Sequence, residues 1–288
     1  QGRIRKVIHD SIAYCDKHDL LKESSSLNTE SGFIDLWENL KFIHNPPSDI
    51  DIQTLIEGKH PAQRSLIKEE LVAHMLCAGI LKNELEGRSG PTMDKVSNAE
   101  EKFTSSLEFN LTGAQKRTWG EIKSDLTRKQ PMRRLLQGDV GSGKTLVGAL
   151  SALHAHENGW QTAFMCPTEI LAEQHHLSLS EWFSSLGLKV ELLTGSTNAS
   201  DRKEIITKLK GGEINILVGT HALFQEDVIF NCLGLTVIDE QHRFGVHQRF
   251  SMLEKGGTKN QSPHQLIMTA TPIPRTLAMT VYGSLETS

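Results

Sequence analysis

The sequence predicts an α/β fold in which a mostly parallel sheet is flanked by helices and preceded by a helical region. After residue 108, short apolar runs of β type alternate with longer helical stretches, which is typical of β-α-β units and a parallel sheet. Before residue 109, apolar residues recur at helical spacing. We therefore predict a helical linker or packing region over 1–108 and an α/β domain over 109–288.

The predicted strands are short apolar runs between helical stretches. They lie at 135–137, 163–165, 190–193, 214–218, 235–238 and 265–268. Ligands of parallel sheets bind at the carboxyl ends of the strands, so motifs at such ends are the candidates for function. In the helical region, Pro46 and Pro47 break the chain. A helix begins at Pro61, a favoured first-turn residue, carries an apolar stripe over 67–85 and is followed by a polar loop.

The composition is that of a globular protein, with 38% hydrophobic and 23% charged residues. The net charge is −4, so any contact with nucleic acid must come from a local patch. Because we find no membrane-length apolar run and no secretory signal, we expect a cytoplasmic protein without a membrane partner. The four cysteines form no CxxC pair and are interpreted as buried, reduced thiols without zinc. We interpret His175 and His176 as helix surface residues.

The segment GDVGSGKT at 138–145 fits the pattern G-x-x-x-x-G-K-[ST] of phosphate-binding loops. Glycines let several backbone N–H groups point at one anion, and the helix that follows adds its N-terminus. Lys144 supplies a charge for the β- and γ-phosphates, and Thr145 offers a hydroxyl to Mg²⁺. A chance Gly-rich turn is the alternative, but the flanking strand and helix favour binding of ATP and Mg²⁺. The predicted nucleotide-binding residues here are Gly138, Asp139, Val140, Gly141, Ser142, Gly143, Lys144 and Thr145.

Two carboxylates, Asp239 and Glu240, end the apolar run at 235–238. Strand geometry brings Asp239 beside the phosphate loop, where it can hold Mg²⁺, with water between them. Glu240 can orient or deprotonate the attacking water. Taken alone, a pair of carboxylates at a strand end is as often simply exposed to solvent as it is catalytic. Behind a phosphate loop, the catalytic interpretation is favoured.

The run Asp239-Glu240-Gln241-His242 resembles motif II of the DExH-type helicases of superfamily 2. This resemblance implies catalytic roles for Lys144, Asp239, Glu240, Gln241 and His242. Other strand ends then resemble further helicase motifs in the expected order, and that order is more specific than any single motif.

The resemblance assigns expected roles to the remaining segments. A Q-motif-like segment implies that Phe109 and Gln115 bind the nucleotide, with Gln115 on the adenine. Nucleic-acid contacts are implied at Pro167, Thr168, Thr194, Gly195, Thr220, His221 and Arg275. A motif-III-like segment implies that Thr269, Ala270 and Thr271 couple the nucleotide to the nucleic-acid surface. Arg202 and Arg243 are further basic candidates, and for these two and Arg275 alike an ordinary ion pair is as favoured.

Three segments together resemble the RecG family of bacterial ATP-dependent helicases for branched DNA: GDVGSGKT, DEQHRFGV at 239–246 and TPIPRTL at 271–277. The resemblance covers residues 30–288 and implies a RecA-like ATP-binding domain over 109–288. It implies remodelling of replication forks and recombination junctions in recombination and repair. It also implies partner domains in the same full-length chain, a DNA wedge and a second RecA-like domain.

We accordingly expect this chain to be the first motor domain with its leading linker, and to hydrolyse ATP only slowly by itself. Two alternatives stay open at this point. One is a double-stranded DNA translocase of the Mfd type, which shares many of these motifs but usually has Glu at the position of Gln241. The other is a nucleotide-gated binding module without unwinding activity.

Overall fold

The computed structural model describes residues 2–18, 36–86, 88–240, 255, 261–270 and 286–288 of the chain. Contacts divide the chain into two units, Gln1–Ile80 and Leu81–Ser288. The first contains helices only among its described residues, and the second contains the sheet. The predicted succession of a helical region and an α/β domain is therefore what the structure has.

The first unit is built from helices that are tied by a few polar and aromatic contacts. Its elements are α1 (Gly2–Lys17), α2 (Leu36–His44), α3 (Ile52–Ile56) and the first part of α4 (Pro61–Glu86). The Trp37 indole N–H donates to the Asp16 carboxylate at 2.7 Å, and the Phe42 ring stacks on the His60 ring with centroids 4.3 Å apart. Pro61 begins α4, as its fixed φ and missing N–H favour.

The second unit has five further helices and seven strands among its described residues. The helices are α5 (Ala99–Ser106), α6 (Gly113–Leu126), α7 (Lys144–Glu157), α8 (Glu169–Phe183) and α9 (Ala199–Lys210). The strands are β1 (Arg133–Gln137), β2 (Gln161–Met165), β3 (Val190–Leu193), β4 (Ile216–Gly219), β5 (Leu233–Asp239), β6 (His264–Thr269) and β7 (Glu286–Thr287). All six predicted strands are present, and β7 is an addition.

The strands form one sheet in the order β3-β4-β2-β5-β6-β1-β7, and every described pair is parallel. Side chains alternate between its faces. Phe164 joins the core under α6, α7 and α8, whereas its neighbours Ala163 and Met165 join the core under α9. The sheet is therefore covered by helices on both faces, which confirms the predicted fold class.

Residues 88–107 belong to the second unit, although the sequence analysis places the boundary at 108/109. The N–H of Gly90 donates to Lys129 O at 2.7 Å, and the N–H of Met93 donates to Leu126 O at 3.1 Å. Met93 and Phe103 are fully buried in the core of this unit. The contact boundary at 80/81 differs from the expected one because these two apolar side chains are part of the α/β core.

A buried ion pair holds α6 against β1 and so sets the surroundings of the phosphate loop. Arg134 of β1 donates to Asp125 of α6 at 2.6 and 2.7 Å, and both side chains are almost fully buried. A second carboxylate, Glu121 of α6, lies 2.8 Å from the same guanidinium. The pair therefore fixes the last turns of α6 against the strand that leads into the phosphate loop.

Candidate nucleotide site and neighbouring strand ends

The phosphate loop spans residues 138–143, between the end of β1 and the start of α7. Gly141 and Gly143 have φ angles of +80° and +81°, in the left-handed region that favours glycine. A Cβ on Gly143 would also lie 2.3 Å from the Gln115 side-chain nitrogen. The backbone path therefore favours glycine at both positions, and any side chain at Gly143 would also displace the end of the Gln115 side chain.

Lys144, the first residue of α7, folds back over the loop. Its Nζ donates to the backbone oxygens of Gly138 and Asp139 at 2.7 and 2.8 Å. The ammonium group is thereby held next to the loop N–H groups and the N-terminus of α7. Thr145 follows it, partly buried, in the first turn of the same helix. The loop thus combines a positive charge, a helix N-terminus and a hydroxyl, which is the donor set for a nucleotide phosphate.

Gln115 joins the start of α6 to the phosphate loop. Its side-chain oxygen accepts from Thr112 N at 2.9 Å, and its backbone N–H donates to the Thr112 hydroxyl at 3.2 Å, forming a capping box. Its side-chain nitrogen donates to Ser142 O at 2.9 Å. The predicted adenine contact is a different use of this side chain. In this structure the carboxamide bonds the helix cap and the loop, while Phe109 is half exposed.

Asp239 and Glu240 lie at the carboxyl end of β5, and β6 separates this strand from β1. The register aligns Asp239 with Met268 and Gln137 with Thr269, so the acidic pair and the phosphate loop share one edge of the sheet. Two strand spacings put their backbones roughly 10 Å apart. A magnesium-bound triphosphate can bridge that distance.

Glu240 is held in an uncommon conformation by the strand beside it. Its φ of +50° is in the left-handed region, which costs a non-glycine residue about 1–2 kcal/mol. Its carboxylate accepts from the N–H of Ala270 at 3.0 Å and from the hydroxyl of Thr269 at 3.3 Å. The backbone oxygen of Thr269 also accepts from the backbone N–H of Gly138 at 3.3 Å. Hydrogen bonds therefore connect Glu240, the predicted coupling residues Thr269 and Ala270, and the start of the phosphate loop.

His175 of α8 is a site residue that the sequence analysis missed. Its Nε2 lies 2.9 Å from Oδ2 of Asp239, and its ring packs on Phe164 with centroids 5.0 Å apart. Only 13% of its side chain is exposed, so the interpretation as a surface residue is wrong. Helical spacing contained the signal, because His175 is three residues after buried Ala172 and four before buried Leu179.

The predicted nucleic-acid residues lie at the ends of β2, β3 and β4. Thr168 caps α8 by accepting from Leu171 N at 3.4 Å. The carboxylate of Glu169 accepts from the backbone N–H and the hydroxyl of Ser196 at 3.2 and 2.9 Å. A Cβ on Gly195 would lie 3.2 Å from Glu169 and 3.8 Å from His221. Three separate predicted loops therefore meet on one surface.

Within that surface, Thr194 and Thr220 are buried, at 4% and 2% exposure. The Thr194 hydroxyl pairs with that of Ser196 at 2.9 Å. Both threonine side chains are thus turned inward in this structure, and the expected nucleic-acid contacts at Thr194 and Thr220 stay a prediction. The exposed groups at this edge belong to Gly195, Ser196 and His221, and Pro167 is partly buried.

Arg202 forms an ordinary ion pair, which is the alternative to a nucleic-acid contact stated for this residue above. Its Nη2 and Nε donate to the Asp227 carboxylate at 2.8 and 3.1 Å, and Nη2 also donates to the Gln225 side chain at 2.6 Å. The predicted residues that lie outside the described part of the chain are Gln241, His242, Arg243, Thr271 and Arg275.

Cys166 lies behind the acidic pair as a buried thiol. Burial and the nearby charge of Asp239 both raise the pKa of this thiol, which keeps it protonated. The prediction of buried cysteines holds for Cys166, whereas Cys15 and Cys232 are partly exposed. In the described part of the chain no helix is long and apolar enough to span a membrane. The same part contains no group of three or more His, Cys, Asp or Glu side chains suited to a metal ion.

Comparison with known proteins defines the class. The sequence profile of the DEAD/DEAH box helicase family matches residues 112–280, which include the phosphate loop, the acidic pair and the coupling residues. The chain belongs to the DEAD/DEAH box helicase family.

Among curated proteins, the chain is similar to the ATP-dependent DNA helicase RecG of several bacteria, which confirms the predicted resemblance. It is 47% identical to RecG of Haemophilus influenzae and 51% identical to that of Pasteurella multocida, each over the whole chain and 41% of the relative. It is 58% identical to RecG of Synechocystis over 83% of the chain and 30% of the relative. The chain thus spans about two fifths of the length of the first two relatives.

Solved structures of helicases are also similar to this chain. A structure of RecG bound to a three-way DNA junction matches with a TM-score of 0.65 and 39% identity, over 88% of this chain and 32% of that one. The DEAD-box helicase Mss116, bound to single-stranded RNA and UDP-BeF, matches with a TM-score of 0.54 at 19% identity, over 67% of this chain and 42% of that one. The second likeness supports the fold alone.

Proposed function

We propose that this chain is the ATP-binding motor half of a bacterial, cytoplasmic DNA helicase that remodels branched DNA in recombination and repair. Similarity to RecG proteins along the chain, including one solved on a three-way junction, supports the substrate class. The observation that carries the proposal is the convergence at one sheet edge. There the phosphate loop, Asp239 and Glu240 meet the backbone of Thr269 and Ala270.

ATP binding follows from the donors at the phosphate loop. The loop N–H groups and the N-terminus of α7 would hold the triphosphate, and Lys144 would give up its two backbone acceptors to donate to phosphate oxygens. Thr145 and Asp239 offer a hydroxyl and a carboxylate, which suit Mg²⁺ because this ion prefers oxygen ligands and uses few protein carboxylates. When bound, Mg²⁺ neutralises charge that develops on the phosphate oxygens.

Hydrolysis then needs a positioned water, and Glu240 is the candidate to orient and deprotonate it. Its carboxylate is also the acceptor for Thr269 and Ala270. A shift of Glu240 toward a water on the γ-phosphate would weaken those two bonds. The state of the nucleotide would thereby reach β6 and the segment that follows it.

DNA contact belongs to the neighbouring strand ends in this proposal. Gly195, Ser196 and His221 present exposed backbone and side-chain groups of the kind that bind phosphates without reading sequence. Arg275 is a further contact by family resemblance. The implied partners within a full-length chain are a wedge domain and a second RecA-like domain, across whose cleft ATP would be bound.

ATP hydrolysis and fork unwinding by the full-length protein, with a Lys144→Ala variant, test the proposal. The matched control is Lys210→Ala, which removes an exposed lysine at the end of α9. Loss of both activities in Lys144→Ala and their retention in Lys210→Ala are expected. Retention of either activity in Lys144→Ala would remove the phosphate loop from its assigned role.

A further inference from the structure

His175 joins two parts of the surface that the proposed function keeps separate. It lies on α8, whose N-terminus carries Thr168 and Glu169 at the part of the sheet edge that is proposed to contact DNA. Its imidazole lies 2.9 Å from Asp239, at the nucleotide edge. The contact crosses from α8 to the end of β5, the strand that pairs with β2 in the sheet.

The chemistry of the contact defines its direction. An ionised carboxylate can only accept, so the imidazole Nε2–H donates to Oδ2 of Asp239. The side chains of the pair are 13% and 11% exposed, and the ring packs on Phe164, which fixes its orientation. Within the described part of the chain, no second hydrogen bond to this carboxylate is found. His175 therefore orients Asp239 and leaves Oδ1 available.

We propose that His175 is a positioning residue for Asp239, which holds this carboxylate ready for the hydration shell of the nucleotide-bound Mg²⁺. The inference rests on the proposed function, because it assigns Asp239 to the metal. Groups that orient metal-binding side chains commonly contribute a factor of about 10–100 to metal affinity. A purely structural histidine would instead affect folding and nucleotide binding alike.

The test measures binding of a fluorescent ATP analogue as Mg²⁺ is titrated, and repeats it in EDTA. His175→Leu keeps an apolar contact with Phe164 but removes the donor, whereas His175→Gln retains an N–H near the original position. The matched control is His176→Leu, since the neighbouring His176 contacts Val190 O at 3.3 Å and lies outside the site.

For His175→Leu, we expect the Mg²⁺ concentration at half-maximal binding to rise about 10–100-fold, with binding in EDTA unchanged. His175→Gln should recover most of this shift, and His176→Leu should show none. A midpoint in His175→Leu within about twofold of the unaltered protein would overturn the inference. So would an equal loss of binding in EDTA, or a shift in His175→Gln as large as in His175→Leu. If the unaltered protein bound no ATP analogue, the proposed function itself would fail.

Discussion

The two halves of the carboxyl edge of the sheet are built differently. The nucleotide half, at β1, β6 and β5, holds charged side chains that are fixed by backbone groups: Lys144 on the phosphate loop and Glu240 on Ala270. The other half, at β2, β4 and β3, is the one proposed to contact a DNA strand and is called the strand-contact half. It turns the side chains of Thr194 and Thr220 inward and exposes backbone at Gly195. Chemistry on a phosphate bond requires placed charges, whereas sequence-independent contact with a strand requires donors along a surface.

The largest effect on ATP hydrolysis is expected from neutralising a charge of the nucleotide half. Glu240→Gln keeps the shape and an acceptor for Ala270 but removes the base. ATP hydrolysis should fall by about 10²–10⁴-fold, the usual contribution of a general base, while ATP binding stays within a few-fold. Steady-state hydrolysis and nucleotide titration measure the two effects. Glu173→Gln, at an exposed position on α8, is the control. Equal hydrolysis by Glu240→Gln and this control would contradict the assignment of Glu240.

Acid should destabilise the α/β unit through His264, which begins β6 and therefore lies at the edge of the sheet opposite the nucleotide half. This imidazole accepts from Met132 N at 2.8 Å and donates to Pro91 O at 2.7 Å, and burial lowers its pKa to about 4. Because the folded pKa lies below the unfolded value of 6.5, the stabilisation is complete above pH 6.5 and is lost as pH falls toward 4. At pH 5 the free energy of unfolding should be about 2 kcal/mol below its value at pH 7 from this group.

Urea unfolding at the two pH values, with a His264→Asn variant, isolates that contribution. The asparagine oxygen can accept from Met132 N as Nδ1 does, and the side chain does not titrate; the bond to Pro91 is lost at every pH. The variant should therefore lose about 2 kcal/mol less stability between pH 7 and pH 5 than the unaltered protein. The difference isolates His264, because buried His154 and partly buried His156, whose pKa values burial also lowers, are present in both proteins. Identical pH dependence in the two proteins would show that His264 titrates normally.

The smallest expected effect concerns the strand-contact half. Glu169→Gln retains an acceptor for Ser196 but removes a negative charge from the surface that would face a phosphate backbone. DNA binding should tighten by roughly fivefold at low salt, since one charge contact near a solvated surface is worth about 1 kcal/mol. The gain should vanish as salt rises. Fluorescence anisotropy with a forked DNA at several salt concentrations measures it, with Glu181→Gln, an exposed position near the opposite end of α8, as the control. Weaker binding by Glu169→Gln would mean that ordering of the loop dominates.

The fold and the nucleotide half were predictable because they depend on local signals. Apolar runs of three to five residues located the strands, and the spacing of glycines around Lys144 placed a turn and a helix start. The acidic pair at the end of β5 followed from the same logic. β7 was not predictable in this way, since two residues have no periodicity and their pairing comes from hydrogen bonds of Ser288 with β1.

The misses share a physical cause, which is that burial depends on contacts between distant parts of the chain. Met93 and Phe103 lie in a segment that reads as linker, yet they complete the α/β core. His175 looks like a polar residue in a polar pair. Its partner is 64 positions away, so only the spacing of neighbouring apolar residues could indicate its buried side.

The most direct test of the central claim is a structure of the protein with Mg²⁺ and a non-hydrolysable ATP analogue. We expect the β- and γ-phosphates within hydrogen-bond distance of Lys144, and one Mg²⁺ shared by the Thr145 hydroxyl, a γ-phosphate oxygen and, through water, Asp239. A nucleotide bound at another edge of the sheet, or a metal ion out of reach of Asp239, would contradict it.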